Sequence, residues 1–446
     1  MTDAFLSQLK KQSIVIAGAG RSGLATLRFL TFLGVKATLA DDTKEAYPKL
    51  ADTLLEKATW VVLSPGIPRA HPALQKAVLN GTKILNELDL AALYLPNTRF
   101  VGITGTNGKS TTTTLLGSIA KVYDPTAFVG GNLGIPFCEA LAKGEKPQLA
   151  ILELSSFQLE TLSHLKLDTA VVTNLSPDHL DRYSSEEAYY GAKARIFALL
   201  KPSGISILNR QDTLSMEHLP NFVKGPCSYF NTSEKEDGVL VGPDFLKFST
   251  STQNHRFSID TKKILGEHNR ENAAAAVAAA LSLQIPFDTI QKGLDDYPGL
   301  AHRLESVGNL KGVQWINDSK ATNVESAIKS VESFDQGIHL IVGGLGKGSS
   351  YAPFVQACTK RVKAVYTIGQ DAPLLLGAFQ NLGVPLHDAK TLENAVQLAH
   401  TAAIKGDTIL LAPACASYDQ FDHFEHRGNC FKALFQKRQT TPSNSA

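Results

Sequence analysis

Apolar positions along this chain follow two rhythms. Short uninterrupted runs at Ser13–Ala17, Lys36–Ala40, Trp60–Leu63 and Lys83–Leu85 read as strands buried on both faces. Between the first two, a helix-period stretch runs from about Ser22 to Leu33. Strand–helix–strand alternation of this kind predicts a parallel sheet covered by helices. The pattern restarts near Tyr94, with strands at Arg99–Ile103, Leu149–Leu152 and Asp168–Val172 and helices at Lys109–Lys121, Ser184–Leu200 and Asn269–Leu283. The stretch from about Gln211 to Lys263 is more polar and predicts irregular or antiparallel structure. A third group begins near Pro298, with strands at Val313–Ile316, His339–Val342, Ala364–Thr367 and Thr408–Leu411. The polar, proline-containing tail Gln439–Ala446 is expected to be disordered. No short repeat is present. The expectation is an α/β protein of three doubly wound domains in series.

Composition narrows the class. With 446 residues the chain has room for about three domains. Apolar residues at 43% and charged residues at 19% exclude a disordered or collagen-like chain. A net charge of +2 gives no general attraction to nucleic acid or anionic membrane. The longest candidate apolar run, Ala273–Leu281, is alanine-rich and falls short of the roughly 20 residues that span a bilayer. Lys10 and Lys11 before an apolar stretch imitate a secretion signal, but the stretch is short and enters a glycine turn. The five cysteines are scattered, without a CxxC pair, which points to a reducing cytoplasm and away from a disulfide framework or structural zinc.

Three sets of loops carry candidate chemistry. Gly18, Gly20 and Gly23 form GxGxxG between strand and helix, with Asp41 and Asp42 ending the next strand. Such glycines let backbone approach phosphate at a helix N-terminus, whether the ligand is NAD or another diphosphate. The alternative is a tight turn that binds nothing. Gly105-Thr106-Asn107-Gly108-Lys109-Ser110-Thr111 is the stronger signal: its backbone can cradle phosphates, its lysine reach them and its hydroxyl ligate Mg²⁺. It departs from GxxxxGKS at Ile103, where that pattern has glycine. Glu153, at a strand end, suits a Mg²⁺ ligand or a helix-capping charge. His179, in Thr173–Asp181, could ligate metal or orient substrate, and Ser176-Pro177 could at the same time cap a helix. Lys193, read alone, is a solvated helical lysine. In the third group, Asp318 could bond a ribose and Lys320 a phosphate. The Gly343–Gly348 loop around Lys347 suggests an anion, and Ala412–Ser417 ends the last strand. These three loops should share one rim. Cys415 has little support as a nucleophile.

Taken together, GTNGKSTTT, LELSSFQLE, NLSPDHLDRY, GEHNRENAAAA, AHRLE, NDSKATN and PACASYDQFDHFEHRG resemble the Mur ligases, from the first glycine turn to about Lys432. ELSSFQL, NDSKATN and PACASYDQF resemble the branch that adds D-glutamate. The resemblance implies a Rossmann-like N-terminal domain (1–93) binding the UDP sugar. It implies a P-loop central ATPase domain (94–298) and a Rossmann-like C-terminal domain (299–446) binding the amino acid and part of ATP. Gly18, Gly20, Arg21, Ser22 and Asp41 would then hold UDP rather than NAD. Gly105, Thr106, Asn107, Gly108, Lys109, Ser110, Thr111, Asn269, Asn272, Arg303 and Asp318 would hold ATP. Mg²⁺ would sit on Ser110, Glu153, His179 and Lys193, the last carbamylated and therefore anionic, with Lys109, His179 and Lys193 catalytic. Asn132 and His179 would touch the muramoyl substrate. Thr322, Lys347, Ser417 and Phe424 would contact D-glutamate, and Lys320 would lie beside the phosphates.

The implied reaction joins UDP-N-acetylmuramoyl-L-alanine to D-glutamate through an acyl phosphate, in a cytoplasmic monomer that builds peptidoglycan precursors and binds neither nucleic acid nor membrane. One departure stands out: the family's Asp-Thr-Arg against uracil reads Asp41-Asp42-Thr43 here, with Lys44 next. A dehydrogenase would use the first fingerprint but leave the GKS loop and the C-terminal loops idle. A non-catalytic ATP-binding module would not need Lys109, Glu153, His179 and Lys193 together.

Overall fold

The computed structural model describes residues 2–179, 182–261 and 263–440. They build three sheets. The first is wholly parallel, in the order β2 (Ala37–Ala40), β1 (Ile14–Ala17), β3 (Trp60–Leu63), β4 (Lys83–Asn86). The second has nine strands: β5 (Arg99–Thr104), β6 (Phe128–Gly131), β7 (Leu149–Glu153), β8 (Leu167–Val172), β9 (Leu200–Asn209), β10 (Cys227–Phe230), β11 (Gly238–Val241), β12 (Phe245–Ser249) and β13 (Asn254–Ser258). Their order is β13-β12-β11-β10-β9-β8-β5-β7-β6, parallel from β11 to β6 and antiparallel beyond. The third orders β14 (Glu305–Leu310), β15 (Val313–Asn317), β19 (Thr408–Leu411), β16 (Ile338–Gly343), β17 (Val362–Ile368) and β18 (Leu386–Lys390). Only β14 runs antiparallel there. The three sheets match the expected α/β class. Among the described residues no helix is long and apolar enough to cross a membrane.

The strands foreseen from apolar runs fall in all three sheets, the edge strands β2 and β4 of the first among them. β1, β3, β7, β16 and β19 are buried at every position, because helices cover both faces of a parallel sheet. Two expectations need correction. The helix expected over Ser184–Leu200 is shorter, running from Glu186 to Ala194 before a 3₁₀ turn, Arg195–Leu199, and then β9. Ser185 caps its start through the Ala188 N–H. Pro202 disfavours helical backbone at Lys201, so the chain leaves as strand. The tail is likewise shorter than expected: Gln439 and Thr440 continue the helix Phe424–Thr440, and residues 441–446 lie outside the described residues.

The chain divides into two compact units: residues 1–259 with 271–297, and residues 260–270 with 298–446. The first unit holds the first two sheets together, and its seam is polar. The helix Glu87–Tyr94 leaves β4 with Asn86 as its cap. Asp89 reaches across and accepts the N–H groups of Ser163, His164 and Leu165 at 3.1, 2.6 and 2.9 Å. The fully buried Glu87 accepts the Cys138 N–H at 2.6 Å, in the first turn of the helix Phe137–Ala142. Burial pushes the Glu87 carboxyl up to about 7 from its ordinary 4.5.

A raised folded-state pKa of an acid contributes stability that is complete below about 4.5 and is lost as pH rises to about 7. The span corresponds to at most about 3 kcal/mol. Glu87→Gln keeps an acceptor for Cys138 and removes the titration. Urea unfolding at pH 5 and pH 8 should show the variant gaining on the parent as pH rises; a pH-independent difference would mean that Glu87 is not held protonated.

Candidate active site

Strand β5 ends in the loop that the sequence marked for phosphate. Gly105 sits at φ 141°, and a Cβ there would lie 1.9 Å from Thr173 Oγ1, so only glycine fits. Gly108, at φ 83°, caps the helix Lys109–Tyr123, and a Cβ there would meet Asn272 Oδ1 at 2.1 Å. Residues leaving β8 fasten the loop from the side. The Asn107 N–H donates to Asn174 Oδ1 at 2.9 Å, and the Asn107 carbonyl accepts from Asn174 Nδ2 and Thr173 Oγ1. Thr106 and Ser176 exchange hydrogen bonds. No helix starts at Ser176, so the capped-turn reading of Ser176-Pro177 is corrected: Ser176 bonds the phosphate loop instead.

Two lysines meet on one carbonyl in this loop. Lys109 Nζ donates to the Gly105 carbonyl at 2.9 Å and to that of Thr106 at 2.8 Å. Lys193 Nζ donates to the same Gly105 oxygen at 2.7 Å. Lys193 is 2% exposed, with its amine 4.4 Å from the Tyr189 ring centre. Burial first, then the neighbouring Lys109 charge, holds its pKa well below the ordinary range, which favours the neutral amine. The reading of Lys193 as a solvated surface lysine is therefore overturned.

Glu153 ends β7, next to β5 on the same rim. Its Oε1 accepts from Asn132 Nδ2 at 2.8 Å, while its buried Oε2 has no hydrogen-bond partner among the described residues. It caps no helix, because Ser155 performs that role for Ser156–Leu159. His179 is partly exposed, at φ 55°, with Phe157 5.1 Å and Tyr189 5.9 Å from its ring. Leu180 and Asp181 of that motif lie outside the described residues. Ser110 and Thr111 open the helix after Lys109, and Asn272 stands over Gly108.

In the first sheet, Gly18 and Gly23 approach so closely that a Cβ on Gly23 would lie 1.9 Å from the Gly18 carbonyl oxygen, whereas the Gly20 position faces open space. Asp41 uses both carboxylate oxygens within the protein. Oδ2 accepts from Ala19 N at 2.7 Å and Oδ1 from Thr43 N and Oγ1 at 2.9 and 2.7 Å. The Thr43 hydroxyl first, with these backbone donors, holds its pKa down to about 2. Arg21 is exposed and bonds the Gly134 carbonyl, and Ser22 is half-buried beside it.

The second unit gathers the remaining candidates. Asp318 is buried, its Oδ2 bonded by the Ser330 hydroxyl, its Oδ1 3.9 Å from Arg303 Nη1 and without a hydrogen-bond partner among the described residues. Burial raises its pKa. Asn269 Nδ2 donates to the Leu265 carbonyl at 2.7 Å. Ser417 is buried, Thr322 and Phe424 are half-buried and Lys347 is exposed. Lys320 Nζ lies 5.8 Å from the Phe424 ring centre. The loops after β15, β16 and β19 do share a rim: Leu345 pairs with Ala416, and Ser319 Oγ donates to the Phe424 carbonyl at 2.8 Å. The sequence reading passed over Arg427, buried at the centre of these loops, and Asp371, which accepts the Gly346 N–H at 3.1 Å. Neither belongs to a short motif with a mechanism of its own.

Comparison with known proteins agrees with this architecture. Residues 12–86 match the MurD-like N-terminal domain of Mur ligases, residues 103–280 the Mur ligase middle domain and residues 302–415 the Mur ligase glutamate ligase domain. The chain is 40% identical to the UDP-N-acetylmuramoylalanine–D-glutamate ligase of Myxococcus xanthus, covering 96% of this chain and 99% of the relative. It is 38% identical to the enzyme of the same name from Anaeromyxobacter dehalogenans, over 96% and 98%. A crystal structure of MurF from Acinetobacter baumannii superposes with a TM-score of 0.63 at 18% identity, over 97% of this chain and 98% of that one, a likeness of fold. The chain belongs to the Mur ligase family.

Proposed function

We propose that this protein is an ATP-dependent ligase that adds D-glutamate to UDP-N-acetylmuramoyl-L-alanine in peptidoglycan precursor synthesis. The convergence of Lys109 and Lys193 on the Gly105 carbonyl, inside a backbone cradle, carries the reading. On this reading residues 1–93 bind the UDP sugar, 94–298 the ATP, and 299–446 the amino acid and part of ATP. The protein works as a monomer in the cytoplasm, and its five unpaired cysteines suit that compartment.

The residues present fit Mg²⁺. Glu153 Oε2 is a buried oxygen without a partner, and Ser110 adds a hydroxyl. Among the described residues no three His, Cys, Asp or Glu side chains gather as a metal cage. Mg²⁺ typically takes one or two protein carboxylates and completes its shell with phosphate and water. Ser110, Glu153, His179 and carbamylated Lys193 are the proposed holders. The ion would neutralise charge on the transferring phosphoryl group.

A carboxylate resists attack by an amine; as an acyl phosphate it accepts the amine and releases phosphate. Lys109 is placed to leave its loop carbonyls for phosphate oxygens, and the Asn107 and Gly108 backbone to orient them. Thr106, Thr111, Asn269, Asn272, Arg303 and Asp318 complete the nucleotide set. A neutral Lys193 amine can add CO₂, and the resulting carbamate would offer oxygen where an ammonium repels metal. Asn132 fixes one Glu153 oxygen and leaves the other available. Gly18, Gly20, Arg21 and Ser22 serve the UDP group. Asp41 acts there by shaping the Ala19 turn, since its own oxygens are occupied. Lys347, Thr322, Ser417 and Phe424 hold the acceptor, and Lys320 faces phosphate.

The direct test is ADP release with UDP-N-acetylmuramoyl-L-alanine against a panel of D- and L-amino acids. D-Glutamate should be the preferred acceptor; preference for L-lysine or diaminopimelate would sink the assignment and keep the ligase class. Lys193→Ala should lose most activity, with partial recovery on adding short carboxylates. A variant as active as the parent would refute the carbamate role. Lys347→Ala should raise the Michaelis constant for D-glutamate about 10- to 150-fold, the loss of one hydrogen bond to a charged group. An equal shift for ATP would place Lys347 elsewhere.

A further inference from the structure

Arg427 is a fully buried arginine in the helix Phe424–Thr440. Its guanidinium makes five hydrogen bonds, and none of the acceptors is a carboxylate. Nε donates to Ser319 Oγ at 3.0 Å, and Nη2 to the carbonyls of Ser319 and Cys415 at 2.9 and 3.1 Å. Nη1 reaches the carbonyls of Gly343 and Ala416 at the longer distances of 3.4 and 3.3 Å. These acceptors come from the loops after β15, β16 and β19. The planar fork of five N–H donors can serve three loops at once, whereas a lysine has three donors on one atom.

The direction of these peptides matters. No peptide bond is cis among the described residues, so each carbonyl turned towards Arg427 sends the following N–H the other way. Two of those N–H groups bond within the protein: Lys320 N to the His302 carbonyl and Ala416 N to that of Leu345. A third, that of Gly344, faces the Ile368 carbonyl along the β16–β17 ladder, and that of Ser417 has no backbone acceptor among the described residues. Gly344 lies at φ 134°, and a Cβ there would meet the Ala416 oxygen at 2.2 Å and Arg427 Nη1 at 3.1 Å, so the loops close only around glycine. Carbonyls polarised by a buried cation leave the far ends of their peptides more positive, a setting for a carboxylate.

We propose that Arg427 is the positioning residue of the acceptor subsite, holding these loops so that the outward Ser417 N–H helps select an amino acid with a side-chain carboxylate. This rests on the D-glutamate ligase reading above. Arg427 itself, buried behind the loops, touches no substrate.

The test compares the intact parent chain with Arg427→Lys and Arg427→Gln, measuring kinetics with D-glutamate, with its neutral counterpart D-glutamine, and with varied UDP-N-acetylmuramoyl-L-alanine. Both folded variants should raise the Michaelis constant for D-glutamate about tenfold or more, with the UDP substrate shifted less than about threefold. The preference for D-glutamate over D-glutamine in kcat/KM should fall. A role in stability alone would lower turnover with both acceptors equally and leave the preference intact, which would overturn the proposal. If neither variant folds, Ser319→Ala, which removes one Arg427 acceptor, must shift the same preference; an unchanged preference overturns it equally. A parent that ignores D-glutamate would instead refute the ligase reading, and this inference with it.

Discussion

The Gly105 carbonyl is the point on which the first unit's rim depends. Two lysine nitrogens approach it, one from its own loop and one from the helix Glu186–Ala194. Two cations on one neutral acceptor repel each other, and burial of Lys193 removes the water that would screen them. The conflict is relieved when one amine is neutral, the state that burial and Lys109 favour for Lys193. The backbone must also be where both can reach it, which requires Gly105 at φ 141° tight against Thr173. Strand β8 therefore fixes the loop of β5, and Glu153 on the other side of β5 completes the rim.

The fold was legible wherever a strand is a short apolar run, the edge strands β2 and β4 included, whereas β9 and β10, inside the second sheet, were missed. Strands such as β1 and β3 are apolar and buried at every position, a signal that survives in one dimension. The outer strands β14, β18 and β6 were not legible: β14 has no buried residue, β18 has one, and β6 carries two glycines, so each reads as loop. The antiparallel extension β11–β13 was visible only as polar, irregular sequence for the same reason.

Site residues divide similarly by sequence distance. Gly105 to Thr111 announce themselves because their partners lie within a turn or a helix start. Lys193 acts on a carbonyl 88 positions away and Arg427 on one 108 away, so neither role can be read from neighbours. Asp41 shows the opposite error of emphasis. Its spacing from the glycines suggested a ligand contact, yet its oxygens serve Ala19 and Thr43.

A common constraint links the three sheets. A loop that presents backbone to a ligand cannot carry side chains on that face, and glycine supplies the room at the expense of order. Order must then come from behind, from a polar side chain on another segment. Asp41 does this for the first glycine turn, Thr173 and Asn174 for the second, Arg427 with Asp371 for the third. The braces differ in charge, and so does their effect. Asp41 is anionic but sits beside Lys44, whose Nζ bonds the same turn at the Ala19 carbonyl. The Thr173 and Asn174 side chains are neutral, leaving the second loop's field to Lys109. Arg427 is cationic and bonds only neutral acceptors, while Asp371 beside it is anionic, so the third loop set is braced by both signs. The same mechanical requirement is thus met three times, by braces of different charge, and only in the third is a buried cation the brace.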